Sequence, residues 1–284
     1  MKLVSYRRDG KPGFGAVAGE AVVDLSARLP GVADLASLVA DAAALAQARQ
    51  IVAGSSGDCP LAQVELAPVI PRPGKIICVG INYVAHAAEA GRTVGEYPVI
   101  FQRYAQTMVA HGAPLIRPAV SGHFDFEAEL AVVIGKGGAH IAPENAMQHV
   151  AGYTCFNDAS VRDWQFHTHQ YGMGKNFRGT GALGPWLVTA DEIPDYRELT
   201  VQGLLNGESM QKGKLSDLAF DIPALIAYVS RALDWQPGDI LATGTPSGIG
   251  FKRQPPVFLQ PGDTFEVVIP GVGTLSNPVV NEEA

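Results

Sequence analysis

The sequence predicts a β-rich α+β fold, and three observations carry that reading. From Lys75 onward, short runs rich in Val, Ile, Phe and Thr follow one another between Gly, Pro, Asn and Asp turns, as strands do. Helical periodicity is confined to a few stretches, and strands do not alternate with helices as they would in a parallel α/β sheet. The chain has 284 residues, 47% of them apolar and only 17% charged, which is enough to build a sizeable core. No repeat of 20–50 residues is visible.

Residues 1–70 read as a separate small N-terminal α/β unit, and residues 71–284 as the larger one. Residues 3–6, 13–17 and 21–25 have strand patterning, with turns at Asp9-Gly10-Lys11-Pro12 and Gly19-Glu20. Residues 32–52 are rich in Ala and Leu at helical spacing and predict one or two amphipathic helices. The proline-dense Pro68-Val69-Ile70-Pro71-Arg72-Pro73-Gly74 ends this unit. Residues 75–79 then form a β-branched run, a buried strand. Asn82 is placed to cap a short helix over 83–90, with Gly91 as its stop. His86 and Glu89 are three apart and share a face of that helix. A carboxylate beside an imidazole suits a general base, and the same pair also fits a solvated surface helix.

A further strand spans 98–103. After it comes the most unusual stretch, His123-Phe124-Asp125-Phe126-Glu127-Ala128-Glu129, which runs into Leu130-Ala131-Val132-Val133-Ile134-Gly135. Read as one strand, a single face carries His123, Asp125, Glu127 and Glu129. Three carboxylates in a row repel one another unless a cation sits among them, and oxygen ligands suit Mg²⁺, Mn²⁺ or Ca²⁺ rather than zinc. An edge strand with one solvated acidic face satisfies the same spacing. Downstream, residues 152–158 form an apolar strand ending in Asn157-Asp158, and Asp158 can cap a helix over 159–165 or add an oxygen to a cation. The glycine-dense Lys175-Asn176-Phe177-Arg178-Gly179-Thr180-Gly181 lacks the order of a phosphate-binding loop. Asn206-Gly207 marks a hairpin, residues 221–235 a helix, and 240–243 a strand opening into the loop Gly244-Thr245-Pro246-Ser247-Gly248-Ile249-Gly250.

The net charge of −7 without a basic block argues against nucleic acid and anionic membranes as partners. The three cysteines show no zinc spacing and read as reduced thiols. No signal core or membrane-spanning run appears, so a cytoplasmic protein is expected.

Taken in order, these pieces resemble the fumarylacetoacetate hydrolase family from Lys75 to about Pro278. The resemblance rests on Gly80-Ile81-Asn82-Tyr83-Val84-Ala85-His86 with Glu89, Phe101-Gln102-Arg103, and residues 125–136. It also rests on Asn157-Asp158-Ala159-Ser160-Val161-Arg162-Asp163-Trp164-Gln165, Gly174-Lys175-Asn176-Phe177 and Thr243-Gly244-Thr245-Pro246. The resemblance implies a catalytic domain with a mixed β-sandwich roll fold. It implies Mg²⁺ or Mn²⁺ held by Glu127, Glu129 and Asp158, and His86 with Glu89 as a base dyad on a lid. Lys175 would act on the substrate, and Arg103, Arg162, Gln165 and Thr245 would contact it, in a homodimer. Arg103 stands where many members have lysine, Arg178 where many have proline, and His167 and His169 are added near the site loop.

The chemistry expected from this resemblance is hydrolytic carbon–carbon cleavage of a 2,4-diketo acid, an acylpyruvate, to pyruvate and a second acid. Isomerisation or decarboxylation of a hydroxymuconate-type or oxaloacetate-like keto acid at the same metal is the alternative. A non-catalytic binder of metal or small acids is a third reading, disfavoured because neither His86 nor a metal ligand is missing.

Overall fold

The computed structural model describes residues 1–283. Every position of the strand Ala128–Ile134 is buried. Side chains along it point alternately to opposite sides. Ala128, Leu130, Val132 and Ile134 join one core cluster, while Ala131 and Val133 join another. A strand apolar on both faces must lie inside a sheet covered on both sides, and this one does. Its antiparallel neighbours are Val150–Asn157 and Ile240–Ala242. The sheet continues on one side through Gly181–Thr189, Lys2–Arg8, Lys11–Ala18, Ala21–Asp24 and Cys59–Pro60, and on the other through Ile76–Gly80 and Val99–Arg103. With Glu65–Leu66 and Met108–Val109 beside it, it has twelve strands.

A second, five-stranded sheet orders Glu208–Lys214, Thr200–Leu205, Thr264–Ile269, Gly273–Asn281 and Leu115–Arg117. Phe265, Val267 and Leu275 of this sheet share a core with Leu130 and Val132 of the first. Phe265 stacks on Phe126, ring centres 4.8 Å apart. The architecture is thus strand-rich α+β with two layered sheets.

The expected N-terminal elements are present. Asp41 resolves the choice between one helix and two. It ends Leu35–Ala40 and caps Ala42–Ala53 by accepting from Ala43 N and Ala44 N at 2.8 and 3.1 Å. We keep the division at residue 70 as a proposal about folding units. Lys2–Arg8 pairs directly with Gly181–Thr189, and Leu3, Phe14 and Leu35 share a core with Ile76, Ala131 and Ile240.

Four local expectations are corrected. The acidic stretch is two strands, not one: Phe124–Asp125 pairs with Ser160–Val161, and Ala128–Ile134 starts afresh. Side chains take over the backbone at the break, where Asp125 Oδ1 accepts from Phe126 N and Asn157 Oδ1 from Glu127 N. Asn82 does not cap Val84–Glu89. It is fully buried and ties the loop before the helix Ile222–Ser230 to the end of Ile240–Ala242, donating to Phe220 O and Thr243 O and accepting from Phe220 N. Asp158 caps no helix either; Arg162–Gln165 begins after Val161 with no side-chain cap. The helix expected over 221–235 is shorter, Ile222–Ser230, with Asp221 capping it through Ala224 N. No helix among the described residues is long and apolar enough to cross a membrane.

The topology dictates where chemistry can sit. Ile76–Gly80 and Ile240–Ala242 are parallel, so both release their loops at the same end of the sheet. Ala128–Ile134 runs antiparallel to Ile240–Ala242 and begins at that end, whereas Val150–Asn157 finishes there. Glu127, Glu129, Asp158 and the loops after Gly80 and Ala242 therefore meet.

Candidate active site

Glu127, Glu129 and Asp158 are all buried, and one carboxylate oxygen from each lies within 4.8 Å of the others. The backbone locks them in register: Ala128 pairs with Asn157, Glu129 with Phe156, and Asp158 N donates to Glu127 O at 3.0 Å. Asp125 leaves the cluster. It accepts from Gly250 N, Phe251 N and Arg162 Nε at 2.8–3.0 Å. Gly250 is required there, because a Cβ would lie 1.9 Å from Val257 O and 2.6 Å from Asp125 Oδ1. His123 points outward, its side chain 56% exposed.

Three buried cations answer these carboxylates. Lys175 Nζ donates to Glu127 Oε2 at 2.7 Å and Asp158 Oδ2 at 2.8 Å. Arg162 Nη1 reaches Glu127 Oε1 at 2.7 Å and Gln165 Oε1 at 2.9 Å, and its Nη2 is buried without a partner among the described residues. Arg103 donates to Asp158 Oδ1 at 2.7 Å, Ala159 O at 2.9 Å and Thr180 Oγ1 at 2.8 Å. Burial works against charge on Glu127, yet Lys175 and Arg162 outweigh it and bring its pKa down to about 2. Burial also opposes charge on Lys175, and Asp158 and Glu127 outweigh that, so its pKa sits above the usual lysine value. Glu129 is the exception. Burial, then Asp158 and Glu127, push its pKa well above the usual carboxylate range. Its support is one backbone donor, Gly244 N at 2.9 Å.

Four buried carboxylates, counting Asp125, face three buried cations, Arg103, Arg162 and Lys175, so one negative charge is left over. The donor set at the cluster is all carboxylate oxygen. Both facts fit a hard divalent cation.

His86 and Glu89 meet as expected, Nδ1 to Oε2 at 3.3 Å, on the helix Val84–Glu89. Glu89 Oε1 accepts from Gly248 N at 2.9 Å, so the loop after Ala242 holds the dyad. A carboxylate facing Nδ1 leaves Nε2 as the basic nitrogen of the neutral ring. His86, Glu127, Glu129, Arg162, Gln165, Lys175 and Thr245 line one cavity of about 300 Å³. Val79, Ile81, Phe101, Tyr171 and Phe251 supply apolar wall. Ile81 has φ +59°, a left-handed conformation that costs a β-branched residue about 1–2 kcal/mol and that the buried turn maintains. Thr245 Oγ1 donates to Ala128 O and accepts from Gln211.

Arg103 is the one expected substrate contact that is placed elsewhere. It is 2% exposed and does not line the cavity; its Nη1 and Nη2 are taken by Asp158, Ala159 and Thr180, and its Nε is buried without a partner among the described residues. His167 and His169 lie in an outer depression that shares Arg92, Phe166 and Tyr171 with the cavity. Gln211 escaped the sequence reading. It joins Ala128 N, Thr245 Oγ1 and Pro246 O from the hairpin strand Glu208–Lys214, and a lone Gln in a hairpin carries no signal of such a role.

Comparison with known proteins returns the model of the fumarylacetoacetate (FAA) hydrolase C-terminal domain over residues 75–280. The chain is 41% identical over 240 residues to the human mitochondrial oxaloacetate tautomerase FAHD2A, covering 84% of this chain and 76% of that one. It is 43% identical over 223 residues to the oxaloacetate tautomerase YisK of Bacillus subtilis, covering 77% and 74%. Among solved structures, the maleylpyruvate hydrolase of Sphingobium sp. SYK-6, in complex with manganese(II) ion and pyruvate, superposes with a TM-score of 0.84 at 32% identity over the full length of both chains.

Proposed function

Because this chain belongs to the fumarylacetoacetate hydrolase family, we propose that it is a metal-dependent enzyme that interconverts the keto and enol forms of a 2-oxo acid of the oxaloacetate type. The observation that carries this reading is the His86–Glu89 pair facing a small cavity that also contains the three-carboxylate cluster. The relatives named as oxaloacetate tautomerases support tautomerisation ahead of the acylpyruvate hydrolysis expected from the sequence.

A bound Mg²⁺ or Mn²⁺, held by Glu127, Glu129 and Asp158, would supply positive charge that favours an enolate over the parent ketone. The protein's own groups do the rest. His86 Nε2 takes a proton from the carbon beside the keto group, and Glu89 stabilises the imidazolium that results. Arg162, with its unpartnered Nη2, and Gln165 bind the carboxylate of the 2-oxo end. Lys175 stays an ammonium and stabilises the developing negative oxygen. Thr245 and Gln211 brace the wall beside Ala128. The proton that His86 takes from carbon is delivered to the enolate oxygen as the imidazolium returns to its neutral form, and no bond between heavy atoms breaks.

Hydrolysis of an acylpyruvate is the second reading, favoured by the likeness to a maleylpyruvate hydrolase and by the same dyad, which suits activation of water equally. The two separate when the Mg²⁺- or Mn²⁺-loaded protein is given oxaloacetate and acetylpyruvate in turn. The proposal expects faster enol–keto equilibration of oxaloacetate without net loss of the acid. Cleavage of acetylpyruvate with no effect on oxaloacetate tautomers would reject it, and release of CO₂ alone would turn the assignment to decarboxylation.

A further inference from the structure

Asp125 is a buried carboxylate that the reaction above does not use, and it does not line the cavity. Its surroundings leave it one orientation. Oδ1 accepts from Phe126 N and Gly250 N, both at 2.8 Å, and Oδ2 accepts from Phe251 N at 3.0 Å. Backbone amides from two separate segments thus clamp both oxygens. The remaining donor is Arg162 Nε, on Oδ2 at 2.8 Å. The strand ladder sets up the same meeting: Asp125 pairs with Ser160, and Arg162 N donates to His123 O at 2.9 Å. Arg162, unlike Asp125, lines the cavity. A guanidinium is planar, so holding two of its nitrogens fixes the third. Asp125 holds Nε, Glu127 and Gln165 hold Nη1, and Nη2 is left without a partner among the described residues.

Resting on the assignment of the substrate carboxylate to Arg162 in the reading above, we infer that Asp125 is a positioning residue that aims the Arg162 guanidinium at that carboxylate. Charge alone does not call for the arrangement, because Glu127 already answers Arg162 at 2.7 Å. Asp125 adds direction. Recognition of a carboxylate by a guanidinium depends on how the planar fork is presented, and with Nε released the plane is free to turn about its Nη1 contacts. The loop amides of Gly250 and Phe251 matter for the same reason: they fix the residue that fixes Arg162. An asparagine at 125 breaks this chain whichever way its amide lies. With the amide nitrogen in the place of Oδ2, Arg162 Nε loses its acceptor; with it in the place of Oδ1, Phe126 N and Gly250 N lose theirs and the side chain loses its anchor.

The test is a double-mutant cycle on the binding of oxamate, read by calorimetry at saturating Mn²⁺. Oxamate has the shape and charge of a 2-oxo acid end and no carbon-bound proton to exchange. Asp125→Asn is expected to weaken oxamate binding by about ten-fold in the wild-type background and by less than about two-fold in the Arg162→Gln background. Equal costs in the two backgrounds, no cost in either, or an Arg162→Gln protein that binds oxamate as the wild type does, overturns the inference. Arg162→Lys keeps the charge and Asp125 but not the planar fork, and it carries the test if Asp125→Asn does not fold. It is expected to bind oxamate about ten-fold more weakly, and binding within about two-fold of the wild type overturns the inference as well. Because oxamate cannot tautomerise, the two readings fail separately. Coupling between 125 and 162 in a protein that leaves oxaloacetate tautomers untouched rejects the tautomerase reading alone, and tautomerisation without coupling rejects the positioning role alone.

Discussion

Glu129 is the residue with the least support in the site. Glu127 and Asp158 have cations at 2.7–2.8 Å, whereas Glu129 has the Gly244 amide and two like charges nearby. Replacing it by Gln removes a charge that is poorly compensated until a cation arrives. Glu129→Gln is therefore expected to weaken Mn²⁺ binding by about 100-fold or more while raising the melting temperature of the metal-free protein by roughly 2 °C. Calorimetry and thermal unfolding decide it, and a lower melting temperature with unchanged metal affinity would contradict the electrostatic account. Spacing alone left the acidic strand open between a cation site and a solvated edge, and His86 with Glu89 open between a base and a surface pair; the family resemblance, not the spacing, joined Asp158 to Glu127 and Glu129. Arg103 was not legible as a brace. A buried arginine's partner is set by tertiary packing, here Asp158, just past the end of Val150–Asn157 and 55 residues away.

The helix Val84–Glu89 has only six residues, too short to persist by its own hydrogen bonding. Its C-terminus is closed by Gly91 at φ +70°, with Arg92 N on Ala87 O. A Cβ at Gly91 would meet nothing within 4 Å, so Gly91→Ala costs only the left-handed strain, about 1 kcal/mol. Hydrogen exchange over residues 84–92 should quicken about five-fold in that variant, while Ala128–Ile134 remains protected. Unchanged exchange at 84–92 would mean that the loop on Glu89, not the cap, holds this helix. Elements with strong local chemistry were legible: Asn206-Gly207, at φ +52° and +83°, makes the hairpin turn its sequence announced. The break at Phe126–Glu127 was not, because it depends on Asn157 and on the loop that binds Asp125, both distant in sequence.

Over the whole molecule, burial sets the alkaline limit. Burial pushes the Cys155 thiol from its usual 9.0 up to about 12, and burial likewise raises the Tyr83 and Tyr153 phenols. In the unfolded chain these groups lose their protons first, so the folded state holds more protons as pH rises. Their contribution is fully present below about pH 9 and is lost as pH climbs toward the folded values. The unfolding free energy from urea titrations should fall between about pH 9 and 11, with a slope near 1.4 kcal/mol per pH unit for each such group; a flat or rising free energy would contradict this. We also keep the homodimer as a proposal. Val99–Arg103 is the last strand of the large sheet, and Val99, Tyr104 and Met173 beside it are 40–63% exposed. Sedimentation at micromolar concentration should give twice the chain mass, and Val99→Lys with Tyr104→Lys should halve it; a monomeric wild type would remove the proposal. The layered, strand-rich class was legible from patterning, but the joining of the N-terminal strands to Gly181–Thr189 was not, since long-range pairing leaves no local mark. The central claim, metal-dependent proton transfer at carbon by His86, is tested most directly by proton NMR of oxaloacetate in D₂O. The protein with Mn²⁺ removed and Mg²⁺ added should speed loss of the C3 proton signal, and EDTA should abolish the effect. His86→Ala should slow it by about 100-fold or more with unchanged metal affinity. Exchange that survives in His86→Ala at the wild-type rate would contradict the account.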